Sequence, residues 1–413
     1  MPCPDSVTTP SSRREEGERD PKRPRGEASP APPSPSSSSS LQIRMEARFM
    51  QGRRPKQEDR HVLISDISTL VEGQEKADVE ALGCTPKALV ALFDGHCGAT
   101  CSEFCAAQLP SRLVSYLVKP LPKSKRMQLA NPPAARDAAT ASSGAAPSSP
   151  AALPSRASET SCLLTKLPSA LSASAVCPFA LPSAALDGLF PSLGPRLVSA
   201  FKHVDREFLA KYRTLKVGGC TAVACLMLGD FAVVASVGDS RAVAGLLKRK
   251  RREALRVSRD HKPNLPEERE RIEANGGQVI EVGGVARVAP RGFQERAKQI
   301  KMEQCLHGGT SKPPPVLMAV SRGFGDKELK EENLITATPD VFGLHVTEDV
   351  RLLLIACDGV WDVMTDQEAV EVAGTHLDDP REAASQVVKR AFERGSQDNL
   401  TVVAVVFSHE ERD

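Results

Sequence analysis

Acidic side chains stand where hydrophobic runs stop. Asp94, Asp239, Asp358 and Asp398 each border such a run, three of them beside glycine in Asp94-Gly95, Gly238-Asp239 and Asp358-Gly359. The pair Glu58-Asp59 precedes another run that begins near Arg60. A single aspartate next to glycine is ordinarily a turn residue. Repeated at five places, the pattern has a second meaning. If the run ends converge, like charges crowd together and must be neutralised, because unpaired buried carboxylates are strongly disfavoured. Hard divalent cations with oxygen ligands do this, and Mg²⁺ and Mn²⁺ suit carboxylate, carbonyl and water. The His and Cys donors that zinc prefers are missing from the set. Spacing alone reads as an acidic metal site.

Such a site needs strands to carry the acids to one place. Ala88–Phe93 is a short apolar run ending in Asp94, and Arg351–Ala356 is a Leu/Ile run leading into Cys357-Asp358-Gly359. Thr221–Leu228 and Phe231–Val237 flank Gly229-Asp230, which predicts a hairpin covered on both faces. Leu400–Phe407 is a Val-rich strand after Asp398-Asn399. Helices are equally legible. Leu197, Phe201, Val204 and Phe208 repeat on one helical face. Pro266 opens a helix that Asn275-Gly276-Gly277 stops, Thr365 with Glu368 forms a capping box, and a last helix runs from Pro380 to Gly395. Strands outnumber what a βαβ repeat supplies, so two packed sheets with helices outside fit best.

Composition narrows the class. The 413 residues carry 54 Lys plus Arg against 52 Asp plus Glu, a formal charge of +2, so no global attraction to nucleic acid or anionic membrane exists. One Trp and two Tyr argue against a base-stacking surface. No apolar run approaches the roughly 20 residues of a membrane helix, and Met1-Pro2 excludes N-myristoylation. A soluble intracellular chain is expected, cytoplasmic unless Lys22-Arg23-Pro24-Arg25, with Arg13-Arg14 upstream, acts as a nuclear import signal rather than as solvated charge. The eleven cysteines are irregularly spaced with no C-x-x-C pair, so reduced and mostly buried thiols are the default.

Three stretches depart from globular composition. Residues 1–41 are Pro, Ser and charge and read as a disordered tail, with Thr9-Pro10, Ser29-Pro30 and Ser34-Pro35 as weak phosphosite matches. Residues 120–185 read as a low-complexity insertion rich in Ala, Ser and Pro. About 290–315 is a second insertion, basic, with a turn at Gly308-Gly309 and a stop at Pro313-Pro314-Pro315. Lys248-Arg249-Lys250-Arg251-Arg252 is expected on a hairpin tip. Residues 410–413 are a short C-terminal tail.

Nine motifs then occur in order: Gln57-Glu58-Asp59, Phe93-Asp94-Gly95-His96, Gly219-Cys220-Thr221-Ala222, Val237-Gly238-Asp239-Ser240-Arg241, Asp260-His261-Lys262-Pro263, Ala319-Val320-Ser321-Arg322, Thr338-Pro339-Asp340, Cys357-Asp358-Gly359-Val360-Trp361-Asp362 and Ser396-Gln397-Asp398-Asn399-Leu400-Thr401-Val402. Together they resemble the type 2C metal-dependent protein phosphatases, from about Met50 to Phe407 outside the two insertions. The resemblance implies an α+β fold, a four-layer αββα sandwich of two antiparallel sheets flanked by helices, as a single catalytic domain over 42–409. It also implies a serine/threonine phosphatase that hydrolyses phosphoserine and phosphothreonine through water activated by two Mg²⁺ or Mn²⁺ ions, with no phosphoenzyme. The partner would be a phosphoprotein substrate, with no nucleic acid and no membrane, and the chain a monomer.

Carried over residue by residue, Asp94 resembles the bridging ligand, with the Gly95 carbonyl on one metal. Asp358 and Asp398 resemble ligands of the other, with Glu58 and Asp59 acting directly or through water. Asp239 and Asp362 match an additional, weaker third-metal position. Arg54 matches the phosphate-binding arginine, with Arg53 beside it where an aromatic is common. His96 resembles the general acid; read on its own it is a turn histidine. Cys97 replaces a common glycine. With Cys101 and Cys105 it forms an i, i+4, i+8 stripe, read as small-residue packing, with an acidified, oxidation-sensitive Cys97 as the sharper alternative.

Overall fold

The runs Ala222–Leu228 and Phe231–Val237 are buried at every position, so the sheet they build must be covered on both faces. The computed structural model describes residues 41–119, 163–167, 184–214, 218–249, 251–307 and 316–409, and these belong to one compact unit. In chain order its strands begin with β1 (Leu41–Met50), β2 (Arg60–Ile64), β3 (Lys87–Phe93), β4 (Gly95–His96), β5 (Leu164–Leu167), β6 (Gly219–Cys220), β7 (Ala222–Leu228) and β8 (Phe231–Val237). They continue with β9 (Arg241–Lys248), β10 (Arg251–Arg256), β11 (Gln278–Val282), β12 (Val285–Ala289), β13 (Phe324–Gly325), β14 (Asp340–His345), β15 (Val350–Ala356) and β16 (Leu400–His409). The helices are α1 (Gly73–Glu80), α2 (Thr100–Val118), α3 (Ala184–Lys211), α4 (Pro266–Ala274), α5 (Phe293–His307), α6 (Lys327–Glu331), α7 (Asp358–Trp361), α8 (Asp366–Ala373) and α9 (Pro380–Glu393).

Two antiparallel sheets result, one in the order β2-β3-β7-β8-β14-β5 and the other β1-β16-β15-β9-β10. The strand period of two then sorts the side chains into layers. From β3, Ala88, Val90 and Leu92 face Leu353, Ile355, Val403 and Val405 of the other sheet, forming the central core. The alternate residues Leu89, Ala91 and Phe93 pack outward against Leu109 and Leu113 of α2 and Phe201 and Phe208 of α3. On the far side, Leu352, Leu354, Val402 and Ala404 meet Val370 of α8 and Val387 of α9. This is the predicted four-layer αββα sandwich. Two smaller elements decorate it: a ribbon β13-β6-β4 and a hairpin β11-β12.

Local signals work as read. Leu197, Phe201, Val204 and Phe208 are all buried along α3. Both capping-box bonds form between Thr365 and Glu368 at the start of α8. Gly395, at φ 89, closes α9. The basic run 248–252 turns between β9 and β10, with Lys250 outside the described residues.

Two differences concern the insertions. Leu164–Leu167, inside the stretch read as low complexity, forms β5 and extends the six-stranded sheet by pairing with β14. Four residues give too short an alternation to stand out from sequence, and the pairing edge that orders them lies about 175 positions away. Phe293–His307, inside the second insertion, is helical. The tail 1–40 with its basic cluster and phosphosite matches, most of 120–185, Gly308-Gly309, Pro313–Pro315 and 410–413 lie outside the described residues. Among the described residues no helix is long and apolar enough to cross a membrane.

Candidate active site

Register fixes which loops meet. In the six-stranded sheet Arg60 pairs with Phe93, Leu92 with Val223 and Ala222 with Val237, so Asp59, Asp94, Thr221 and Asp239 leave the sheet at the same end. In the five-stranded sheet Met50 pairs with Leu400, and Ala356 with both Val402 and Arg241. Asp358, Asp398 and the segment after Met50 therefore leave at one end too. The two ends border a single cavity of about 530 Å³, lined by Arg54, Glu58, Asp94, Gly95, His96, Asp239, Lys262, Asp358, Asp362 and Asp398. A larger recess of about 780 Å³ lies around Lys202, Arg206 and Lys330, but its one carboxylate, Asp205, is bonded to Lys330 at 2.7 Å. Chemistry therefore singles out the smaller cavity.

The glycines beside the acids permit the close approach. A Cβ on Gly95 would sit 2.5 Å from the Glu58 carbonyl oxygen, and one on Gly359 would sit 2.1 Å from that of Asn399. Any side chain at either place would push the strand ends apart. Asn399 ties them together. Its side-chain amide donates to the carbonyls of Gln51 and Lys56 at 2.8 and 2.9 Å and its oxygen accepts from the Glu58 N–H at 2.9 Å. The loop carrying Arg54 and Glu58 is thus pinned to the start of β16.

The electrostatics are those of crowded acids. Burial, then the charges of Asp358, Asp59, Asp239 and Asp398, push the Asp94 carboxyl well above the usual range. Asp358 is pushed up in the same way, by burial and then by Asp239, Asp362 and Asp398, with Lys262 opposing. Asp59 rises to about 6, chiefly through burial, although Thr401 donates to its Oδ2 at 2.6 Å. The other Asp59 oxygen is buried without a hydrogen-bond partner. Asp362, at the rim, is also raised, by partial desolvation of its carboxyl and by Asp239, against the pull of Lys262. Asp239 bonds Lys262, Arg54 Nη2 bonds Asp398 at 2.5 Å, and Glu58 accepts from the Gly98 N–H at 3.0 Å. Arg53 points away, stacking 5.7 Å over Phe392, so Arg54 is the arginine that faces the cavity.

His96 has a partner that the sequence reading missed. Asp326 places both carboxylate oxygens against His96 Nε2, at 2.8 and 3.0 Å. Burial pulls the imidazole down, but the Asp326 charge and hydrogen bond outweigh it and hold His96 above its ordinary value. The ribbon β13-β6-β4 brings the two together across 230 positions. Nothing local in the sequence around Gly325-Asp326 marks its contact with His96.

Cys97 corrects an expectation. Helix α2 starts at Thr100, so the stripe does not extend back to Cys97, which is exposed with φ 57, a left-handed conformation that suits the glycine it replaces. Burial, then the charges of Asp326 and Glu58, push its thiol up from the ordinary value.

The comparisons with known proteins fit this geometry. Residues 173–400, more than half of the chain, match the model of the family described as protein phosphatase 2C. The chain belongs to the protein phosphatase 2C family. Glu58, Asp59, Asp94 and His96 precede the matched stretch, the last of them separated from it by residues 97–172, and the fold places them beside Asp239, Asp358 and Asp398. Among curated relatives, the chain is 36% identical over 210 residues to a probable protein phosphatase 2C 45 of Oryza sativa subsp. japonica, covering 51% of this chain and 62% of that one. It is 35% identical over 215 residues to a probable protein phosphatase 2C 76 of Arabidopsis thaliana, covering 52% and 43%. The matches thus span less than two thirds of these relatives. Among solved structures, the serine-threonine phosphatase 2C from Toxoplasma gondii superposes with a TM-score of 0.61 at 22% identity, covering 90% of this chain and 96% of that one, a likeness of fold.

Proposed function

We propose that the cavity hydrolyses phosphoserine and phosphothreonine of protein substrates with the help of two divalent cations, Mg²⁺ or Mn²⁺. The observation that carries this is the convergence of Asp59, Asp94, Asp239, Asp358 and Asp398 beside one cavity that also presents Arg54 and His96. The donor set fits such ions. It is all oxygen, its carboxyls Asp94 and Asp358 repel one another, and one Asp59 oxygen lacks any partner. Asp94 with the Gly95 carbonyl would hold one ion, Asp358 and Asp398 the other, with Glu58 and Asp59 assisting directly or through water. Asp239 and Asp362 would form a weaker third position. Two such cations, when bound, supply a water acidic enough to attack phosphorus near neutral pH and charge to stabilise the in-line displacement.

The protein's own groups do the rest. Arg54 leaves Asp398 to grip two phosphoryl oxygens with its planar guanidinium. His96 protonates the departing serine or threonine oxygen, a poor leaving group as an alkoxide, and contributes roughly 10²–10⁴-fold. Asp326 favours the protonated ring and aims it. No cysteine or serine nucleophile is required, and the buried thiols have other surroundings. On this reading the chain works as a monomer on phosphoprotein partners, without nucleic acid or membrane, in the cytoplasm, or in the nucleus if Lys22-Arg23-Pro24-Arg25 serves as an import signal.

Phosphate release from a phosphothreonine peptide tests the proposal. Turnover should require Mn²⁺ or Mg²⁺, stop in EDTA, and vanish in Asp94→Asn and Asp358→Asn. Turnover that survives EDTA rejects the mechanism, and a folded, inert protein that still binds phosphopeptide rejects the enzyme.

A further inference from the structure

Behind the ribbon that carries His96 lies a second set of potential ligands. Cys101 and Cys105 stand one turn apart on α2 and face Cys220 of β6. All three side chains are buried, 1% exposed or less. Their sulfurs lie within 4.8 Å of one another, with Cys101 and Cys220 3.6 Å apart. An equilateral triangle with edges in that range has its centre about 2.1–2.8 Å from each corner (edge divided by √3), which brackets a metal–thiolate bond of roughly 2.3 Å. Among the described residues this is the one group of three or more His, Cys, Asp or Glu whose ligand atoms all lie so close together.

We propose that Cys101, Cys105 and Cys220 form a soft-metal site that takes a single d¹⁰ cation, Cu(I) or Zn(II), distinct from the carboxylate centre. Thiolates select such ions, whereas the hard Mg²⁺ and Mn²⁺ favour oxygen. Among the described residues no fourth His, Cys, Asp or Glu joins the group, and its three side chains are buried, which favours Cu(I), because structural Zn²⁺ is almost always four-coordinate. Burial raises all three thiols; hydrogen bonds with Cys105 and Cys220 bring Cys101 down to about 6 against the charge of Asp326, while Cys105 and Cys220 stand well above the ordinary thiol range, so the metal must displace their protons. Binding exchanges thiol protons for the metal, with no change in sulfur oxidation state.

The site is coupled to the cavity by backbone. Cys220 pairs with Gly95 of β4 on one side and with Phe324 of β13 on the other, so it sits between the strand that bears His96 and the strand that delivers Asp326. A metal that draws the three sulfurs together acts on the ribbon that aligns the acid pair.

The test starts from a full-length background with Cys3, Cys97, Cys162, Cys177 and Cys305 changed to Ser, which removes the exposed thiols and those outside the described residues. Under reducing, anaerobic conditions this protein should withdraw one equivalent of Cu(I) from its bicinchoninate complex. X-ray absorption of the loaded protein should read sulfur-only coordination. With Cd(II), as a probe for Zn(II), it should show an ultraviolet thiolate charge-transfer band, which carboxylate-bound ions do not give. Cys220→Ser and the milder Cys105→Ala should weaken retention at least tenfold while circular dichroism shows an intact fold, and Cys225→Ser, a buried thiol elsewhere, should leave it unchanged. Failure to retain either ion, retention unaffected by Cys105→Ala and Cys220→Ser, oxygen or nitrogen ligands, or a Cys101–Cys220 disulfide formed in place of binding would overturn the site. None of these readouts depends on phosphatase activity.

Discussion

Asp326 and His96 make the sharpest claim at the scale of single residues. If His96 gives its proton to the leaving oxygen, His96→Ala should slow phosphothreonine peptides by roughly 10²–10⁴-fold and p-nitrophenyl phosphate far less, since nitrophenolate departs without help. Asp326→Asn keeps the shape but loses the charge, so it should show the same split between substrates with a smaller loss, mainly in kcat. Equal losses on both substrates would remove the acid role. The residues that sequence motifs exposed were the acids, because each stands beside glycine at the end of an apolar run. Asn399 stands within a quoted motif, but its work, like that of Asp326, was hidden. A side chain's partner 230 or 340 positions away leaves no trace in local pattern. Cys97 misled for a related reason: helical spacing suggested a stripe, but the start of α2 at Thr100 lies beyond it.

Among elements, α4 is anchored by charge as well as by the buried Ile272, which packs with Val288, Leu329 and Leu334. Glu268 on α4 is 2% exposed and accepts from Ser321 at 2.6 Å, from Arg322 at 2.5 and 2.9 Å and from Arg271 at 2.9 Å. Burial raises its carboxyl, but these donors outweigh burial and take it to about 2. A folded-state value below the unfolded one stabilises the fold fully above about pH 4.5, and that stabilisation is lost as pH falls toward 2. Urea unfolding at neutral pH should show Glu268→Ala less stable by about 3 kcal/mol, because Arg322 loses its closest buried carboxylate and keeps only Asp340 at 3.3 Å. Wild type should lose its advantage over Glu268→Gln as the pH is lowered through that window; an unchanged gap at pH 3 would contradict the assignment. Helices with caps and strands with continuous apolar runs were legible, as α8 and β7 illustrate. The strand β5 was not, because its order comes from the edge of β14 rather than from its own composition.

Across the whole molecule, the sandwich is a device for bringing distant carboxylates together. Its layers follow from strand periodicity, and its antiparallel registers bring Asp59, Asp94, Asp239, Asp358 and Asp398 to neighbouring ends. The sequence implied that convergence only through resemblance, since spacing between strands says nothing of which ends meet. On the proposed reading, the crowding costs stability that bound cations would restore. Ions that bind the folded state alone should raise Tm, by the equivalent of about 2.7 kcal/mol at a hundred times Kd, and EDTA should reverse the gain. Asp94→Asn should melt at or above the metal-free wild type while responding weakly to Mn²⁺, because it removes a repelling charge along with a ligand. The most direct measurement is the stoichiometry of Mn²⁺ bound to the full chain, by electron paramagnetic resonance and calorimetric titration, in wild type and Asp94→Asn. Two ions on the wild type, with both weakened by that one substitution, is the predicted result; no binding, or binding indifferent to Asp94, would contradict the account.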